Sequence, residues 1–221
     1  VSASDGTLTT TQAVAITVTN LNDNPVSTLT DSNAGSNTVA ENAAVGTAVG
    51  VTALATDADT GATITYSLSD NAGGKFAINS TTGIVTVASA LDYETATSHN
   101  ITVLATSSDG STNTGTYTIA VTNINEAPVI TSAATANFAE NGTGTVYTAT
   151  ASDVDASTTL TYGLSGTDST LFNINTSTGA VTFKTAPNFE APSDAGANNV
   201  YDIIVSASDG TLTTTQAVAI T

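Results

Sequence analysis

Asp57-Ala58-Asp59 and Asp153-Val154-Asp155 place two carboxylates on alternate residues, and Asp92-Tyr93-Glu94 does the same with a mixed pair. In an extended strand or turn, alternate side chains point to one side, so each motif aims two anionic oxygen donors at one place. Fourteen of the 19 acidic residues lie in such recurring motifs: Asp5, Asp23, Glu41, Asp57, Asp59, Asp92, Glu94, Asp109, Glu126, Glu140, Asp153, Asp155, Glu190 and Asp209. Only Asp31, Asp70, Asp168, Asp194 and Asp202 fall outside them. The neighbours of the acids are amides, as in Asn22-Asp23-Asn24, Asn125-Glu126 and Glu41-Asn42. Carboxylate, amide and backbone carbonyl oxygens together are what a hard cation such as Ca²⁺ takes, six to eight at a time. The competing reading is turn chemistry, because Asp and Asn also cap hairpins through local hydrogen bonds.

The elements that carry these motifs read as strands. Ile64/Tyr66/Leu68, Phe76/Ile78, Ile101/Val103/Ala105 and Tyr117/Ile119/Val121 alternate with polar residues, and Leu160/Tyr162/Leu164, Phe172/Ile174, Val181/Phe183 and Ile203/Val205/Ala207 repeat the pattern. Period two marks half-buried strands, and Gly- and Asn/Asp-rich breaks such as Asp70-Asn71-Ala72-Gly73-Gly74 separate them. No stretch has a helical period. Tyr66, Tyr162, Phe76 and Phe172 read as core, whereas His99, Lys75 and Lys184 read as surface.

The chain also repeats itself. Residues 1–17 and 205–221 are identical, an offset of 204 residues. A weaker period of roughly a hundred residues, a common domain size, relates Ala40-Glu41-Asn42 to Ala139-Glu140-Asn141, and Phe76-Ala77-Ile78-Asn79 to Phe172-Asn173-Ile174-Asn175. The expected organisation is the last strands of a preceding repeat at 1–22, a complete repeat at 23–125, and a second at 126–221 that lacks its last residues. About seven strands per repeat, without helices, predict tandem seven-stranded antiparallel Greek-key β-sandwiches of immunoglobulin-like architecture. Threonine, about a fifth of the chain, favours the same all-β reading.

Composition excludes several functions. Two lysines and no arginine against 19 acids give a net charge of −17, so neither nucleic-acid phosphates nor an anionic membrane surface has a cationic counterpart here. There is no cysteine, hence no disulfide, zinc–thiolate site or thiol nucleophile. No apolar run approaches a membrane span of roughly 18 residues, so direct membrane insertion is not expected. The single histidine, His99, has no recurring acid and serine around it, and the paired acids sit in motifs better explained as ligands than as a glycosidase cleft. An enzyme is not expected.

Taken in order, the motifs resemble the cadherin repeat. The resemblance rests on Ala40-Glu41-Asn42, Asp57-Ala58-Asp59, Leu91-Asp92-Tyr93-Glu94, Asn20-Leu21-Asn22-Asp23-Asn24 and Val205-Ser206-Ala207-Ser208-Asp209, and it covers essentially the whole chain. The Phe189–Asp194 stretch and the sparse charge look like bacterial cadherin-like repeats. The resemblance implies two to three Ca²⁺ at each junction between repeats. At the complete junction the implied ligands are Glu41, Asp92 and Glu94, then Asn125, Glu126 and the carbonyls of Ile124 and Ala127, then Asp153, Asp155 and Asp209. Upstream they are Asn22, Asp23, Asp57, Asp59 and Asp109; Glu140 and Glu190 would serve a following junction. The pattern departs from the family at Asn20, Asn123 and Asn188, where it has acids. An extra residue before Asp109 would shift that carboxylate off its ligand position. The function implied is a calcium-rigidified spacer or stalk in a bacterial surface adhesin or extracellular filament. Neighbouring repeats of the same chain would be the partners. The alternative is a carbohydrate-binding or homotypic cell–cell adhesion module, engaging a surface glycan or identical chains.

Overall fold

The computed structural model describes every residue except Asn20, Asn22 and Ser157. It divides into two compact units, Val1–Asn123 and Ile124–Thr221. In the first, β1 (Ser2–Ser4) and β2 (Thr9–Thr11) form a two-stranded antiparallel sheet. They precede β3 (Thr30–Asp31), β4 (Thr38–Ala40), β5 (Ala48–Leu54), β6 (Ile64–Asp70), β7 (Phe76–Ile78), β8 (Ile84–Val87), β9 (Ser98–Ser107) and β10 (Thr112–Thr122). One sheet has the order β4-β10-β9-β6 and the other β3-β5-β8-β7. The chain therefore changes sheet at every step from β3 to β7 and again between β8 and β9, as a Greek-key sandwich requires.

The alternation seen in the sequence becomes the burial pattern. Val49, Val51 and Ala53 of β5, Val85 and Val87 of β8, Ile101, Val103 and Ala105 of β9, and Ile119 and Val121 of β10 fill one core with Tyr66 and Phe76. Each fully buried Val or Ile contributes about 1.5–3 kcal/mol. One pairing departs from the antiparallel expectation: β4 runs parallel to β10, Val39 opposite Val121. A strand that crosses from the opposite sheet arrives at this edge in the same direction as β10, and period two carries no information about direction.

The second unit repeats the plan. Its strands are β11 (Val129–Ile130), β12 (Thr135–Ala136), β13 (Thr145–Thr148), β14 (Ala151–Ser152), β15 (Thr161–Ser165), β16 (Phe172–Ile174), β17 (Ala180–Phe183), β18 (Tyr201–Ser208) and β19 (Thr213–Ile220), with one 3-10 turn at Ser169–Leu171. The sheets are β12-β19-β18-β15 and β13-β17-β16, with β11 paired to β14, and β12 again runs parallel to β19. Phe172 is buried, and Tyr162 packs against the same cluster. The two units share one tight feature. Gly83 and Gly179 have φ of +69° and +71°, and a Cβ at either would stand 2.1 Å from the carbonyl oxygen of Ala53 or Ala149. No side chain fits there, which explains the recurring Thr-Gly.

The surface assignments need correction. His99 is half-buried, its ring edge-on to Phe76 at 5.7 Å, because it occupies an inward position of β9. Lys75 is half-buried and Lys184 exposed; both cap backbone carbonyls, Lys184 Nζ donating to Thr170 O at 2.7 Å.

Two acids outside the recurring motifs have structural work. Asp168 and Asp194 are buried, at 4% and 5% exposure. Asp168 accepts from Ala195 N at 2.8 Å and Asp202 N at 2.7 Å; Asp194 accepts from Asn198 N and Asn199 N at 3.0 Å each. They fold the stretch between Glu190 and Tyr201, which is longer than its counterpart between Glu94 and His99, and hold Ala197 and Asn199 at positive φ.

Candidate metal centres

Each unit gathers its motif acids at its ends, and the local hydrogen bonds explain how. In the first unit, Glu41 follows β4 and is 6% exposed; its Oε2 accepts from Tyr93 N at 2.7 Å, which ties the Leu91–Glu94 turn to the β4 end. Asp92 is shaped by Thr95, whose N and Oγ1 donate to it at 3.0 and 2.8 Å. Glu41, Asp92 and Glu94 each present an oxygen within 4.8 Å of the others.

Asp57, Asp59 and Asp109 form a second such group in the same unit. Asp59 N donates to Asp57 Oδ1 at 2.9 Å, and Asp59 in turn accepts from Asn24 N and Nδ2 at 3.3 and 3.0 Å. Asn24 Nδ2 also donates to Asp23 Oδ1 at 2.8 Å, so Asp23 joins this end. Asp109 reaches the group despite the extra residue before it. That residue is absorbed in a turn closed by Ser107 N to Ser111 O at 2.9 Å and Gly110 N to Ser107 O at 3.0 Å. Asn22 lies outside the described residues.

The second unit presents the matching donors. Asn125 Nδ2 donates to Asp209 Oδ2 at 2.8 Å, Glu126 N to Asp155 Oδ2 at 2.9 Å, and Asp155 N to Asp153 Oδ1 at 2.9 Å. The other oxygen of Asp153 is buried and has no hydrogen-bond partner. A buried carboxylate oxygen without a donor carries a desolvation cost that a cation would offset. Ile124 and Ala127, expected to offer carbonyls, are exposed residues beside the buried Pro128. At the other end, Glu140 Oε2 accepts from Phe189 N at 3.1 Å, as Glu41 does from Tyr93. Glu190 N donates to Asn188 Oδ1 at 3.0 Å, so the amide that replaces an acid still makes the turn.

Three carboxylates this close repel one another: about 1 kcal/mol per pair at 4 Å in water and about 4 kcal/mol at an effective dielectric of 20. A divalent cation reverses the sign, and the all-oxygen donor set fits Ca²⁺ or Mg²⁺ and suits softer metals poorly.

Hydrogen bonding already favours the ionised forms. Asp209 is held below its ordinary value of 3.8 by the Asn125 side chain and by the Leu212 and Thr211 amides. The Thr95 hydroxyl and amide lower Asp92, and the Ser111 amide lowers Asp109. Asp5, in the copy of the Asp209 turn, is lowered to about 2, chiefly by the Leu8 and Thr7 amides. A depressed folded value means that the stabilisation is complete above the unfolded value near 4 and is lost as pH falls through the lower folded one. Melting temperature in calcium-free buffer should therefore hold between about pH 7 and 5 and fall below about pH 4. A melting temperature that rises on acidification would mean that carboxylate repulsion outweighs these hydrogen bonds.

A family model described as a cadherin domain matches residues 36–122. The Drosophila melanogaster protocadherin-like wing polarity protein stan is 34% identical over 218 residues, 90% of this chain and 6% of that protein. Mouse protocadherin Fat 4 is 35% identical over 164 residues, 69% of this chain and 3% of its own length. The chain thus spans only a few per cent of these relatives, which are animal proteins. Among solved structures, repeats 22–24 of mouse cadherin-23 superpose with a TM-score of 0.63 at 30% identity, covering 91% of this chain and 65% of that one. Human protocadherin-24 repeats 1–2, at 23% identity and a TM-score of 0.61, share the fold. Among the described residues, no helix is long and apolar enough to cross a membrane. Residues 36–122 match a cadherin domain, and the second unit repeats the same sandwich plan.

Proposed function

We propose that this chain is a calcium-stiffened spacer: extracellular repeats that bind Ca²⁺ through the carboxylates at their ends, so that consecutive repeats act as a rod in a bacterial surface adhesin or filament. The observation that carries the reading is the clustering of acids within the first unit. Glu41, Asp92 and Glu94 converge at one end of the first, and Asp57, Asp59 and Asp109 form another group, each within 4.8 Å. Calcium would draw on these groups, on Asp23, on Asn125, Glu126, Asp153, Asp155 and Asp209, and on Glu140 and Glu190 at the remaining end. Asn22 and the carbonyls of Ile124 and Ala127 complete the proposed set, with two to three ions per junction. The bacterial assignment rests on the sparse charge and on the Phe189–Asp194 stretch alone.

Small-angle scattering of the chain tests the rod. With calcium the particle should be longer and its length distribution narrower than with chelator; equal profiles in the two buffers would refute the spacer. A second reading, carbohydrate binding, has one observation in its favour. Phe189 is 64% exposed beside a cavity of about 230 Å³ lined by Phe138, Phe183 and Tyr201. Binding on a glycan array that a Phe189→Ala variant loses would promote it.

A further inference from the structure

Asn141-Gly142 is the only Asn-Gly pair in the chain. It forms the turn directly after Glu140. Asn141 is exposed, and its backbone is left-handed, with φ of +56°. Gly142 N donates to Ala139 O at 3.1 Å. A Cβ at 142 would meet that same oxygen at 2.8 Å and the Phe138 ring at 2.9 Å, so the fold itself keeps this position a glycine. The first unit closes the corresponding turn at Asn42-Ala43, with Ala43 N donating to Ala40 O at 3.0 Å, but without a left-handed asparagine. There a methyl group stands beside the backbone nitrogen that follows the asparagine; at Gly142 nothing does.

We propose that Asn141 is a site of spontaneous deamidation. The Gly142 backbone nitrogen gives its proton to solvent base and attacks Asn141 Cγ. A carbon–nitrogen bond forms, the side-chain nitrogen takes up a proton and leaves as ammonia, and a five-membered succinimide remains. Water then adds to one of the two ring carbonyls and reopens the ring. One direction leaves aspartate at 141; the other leaves isoaspartate, with the main chain routed through the former side-chain carbon. No oxidant or cofactor is consumed. The gate is the Gly142–Ala139 hydrogen bond, which must open locally before the nitrogen can attack.

Either product places a new carboxylate one residue from Glu140. Isoaspartate also adds a carbon to the main-chain path, which moves the Glu140 carboxylate relative to Phe189 N, its donor at 3.1 Å. The chemistry needs no bound metal and stands apart from the calcium reading.

The test is ageing of the whole chain in mildly alkaline buffer at body temperature, followed by proteolysis and mass spectrometry. The peptide carrying Asn141 should gain the amide-to-acid mass difference steadily, in aspartate and isoaspartate forms that chromatography resolves. The peptide carrying Asn42 should stay at its starting level. An Ala43→Gly variant, which puts the same dipeptide into the first unit, should start converting Asn42 as well; it avoids the collision that Gly142→Ala would create. Equal conversion at 141 and 42 in the parent chain, or none at either, overturns the proposal. So does an Ala43→Gly chain in which Asn42 still fails to convert.

Discussion

Calcium should raise the melting temperature of this chain by about 10–20 °C over chelated protein. A ligand that binds only the folded state at a hundred times its dissociation constant adds about 2.7 kcal/mol. In a unit of about a hundred residues each kcal/mol moves the midpoint by about 4–8 °C. The donors that would deliver this are already gathered in the folded units, at Glu41, Asp92 and Glu94 and at Asp57, Asp59 and Asp109. An unfolded chain scatters them and binds far more weakly. Scanning calorimetry at neutral pH, with calcium and with chelator, measures the difference. Superimposed scans would mean that the acids are turn formers and nothing more.

The second large effect belongs to Asp59. It is 9% exposed, bonded to Asn24 through both oxygens, and one of the three clustered carboxylates. Asp59→Asn keeps the shape and removes the charge, so it should weaken calcium binding at that end about tenfold or more, which is ~1.4 kcal/mol or more. The loss should appear as a smaller calcium-induced rise in melting temperature. Asp31 supplies the control. Its Oδ1 accepts from Asn33 N and Thr52 N at 3.0 Å each, a purely structural task outside the clusters. Asp31→Ala should cost the same stability in calcium as in chelator. If Asp59→Asn behaves like Asp31→Ala, with equal losses in both buffers, Asp59 is not a ligand.

Much of this was legible in the residues because β-structure and ligand motifs both write themselves in short periods. Val85, Val87, Ile101 and Val103 alternate in the sequence and are buried in the sandwich. Asp57 and Asp59 stand two apart and share one cluster. What failed to show has equally definite causes. Comparing the two repeats highlights only what they share, and Asp168 and Asp194 fold a loop that is shorter in the first unit. Strand direction leaves no trace in alternation, so the parallel pairing of β4 with β10 was invisible. The extra residue before Asp109 read as a displacement of the carboxylate, but a turn has freedom that residue counting does not see. His99 has polar neighbours in sequence, whereas its place on β9 turns it toward Phe76.

The identical stretches 1–17 and 205–221 have opposite surroundings. Val205, Ala207, Val218 and Ile220 are buried in β18 and β19, while Val1, Ala3, Val14 and Ile16 are exposed. The letters that form the eight-residue strand Thr213–Ile220 form only the three-residue strand Thr9–Thr11 in the other copy, so packing, not propensity, sets the length. This has a kinetic consequence. While the second unit folds, β15 meets two hairpins that share seventeen residues, told apart by connectivity and by Tyr201–Ile204, which precede the shared letters in the native one. Closing the loop of about 40 residues to the native hairpin, against about 140 to the other, favours the native choice by about 1 kcal/mol, less than tenfold. A chain diluted too far to aggregate still carries its misfolding competitor within itself.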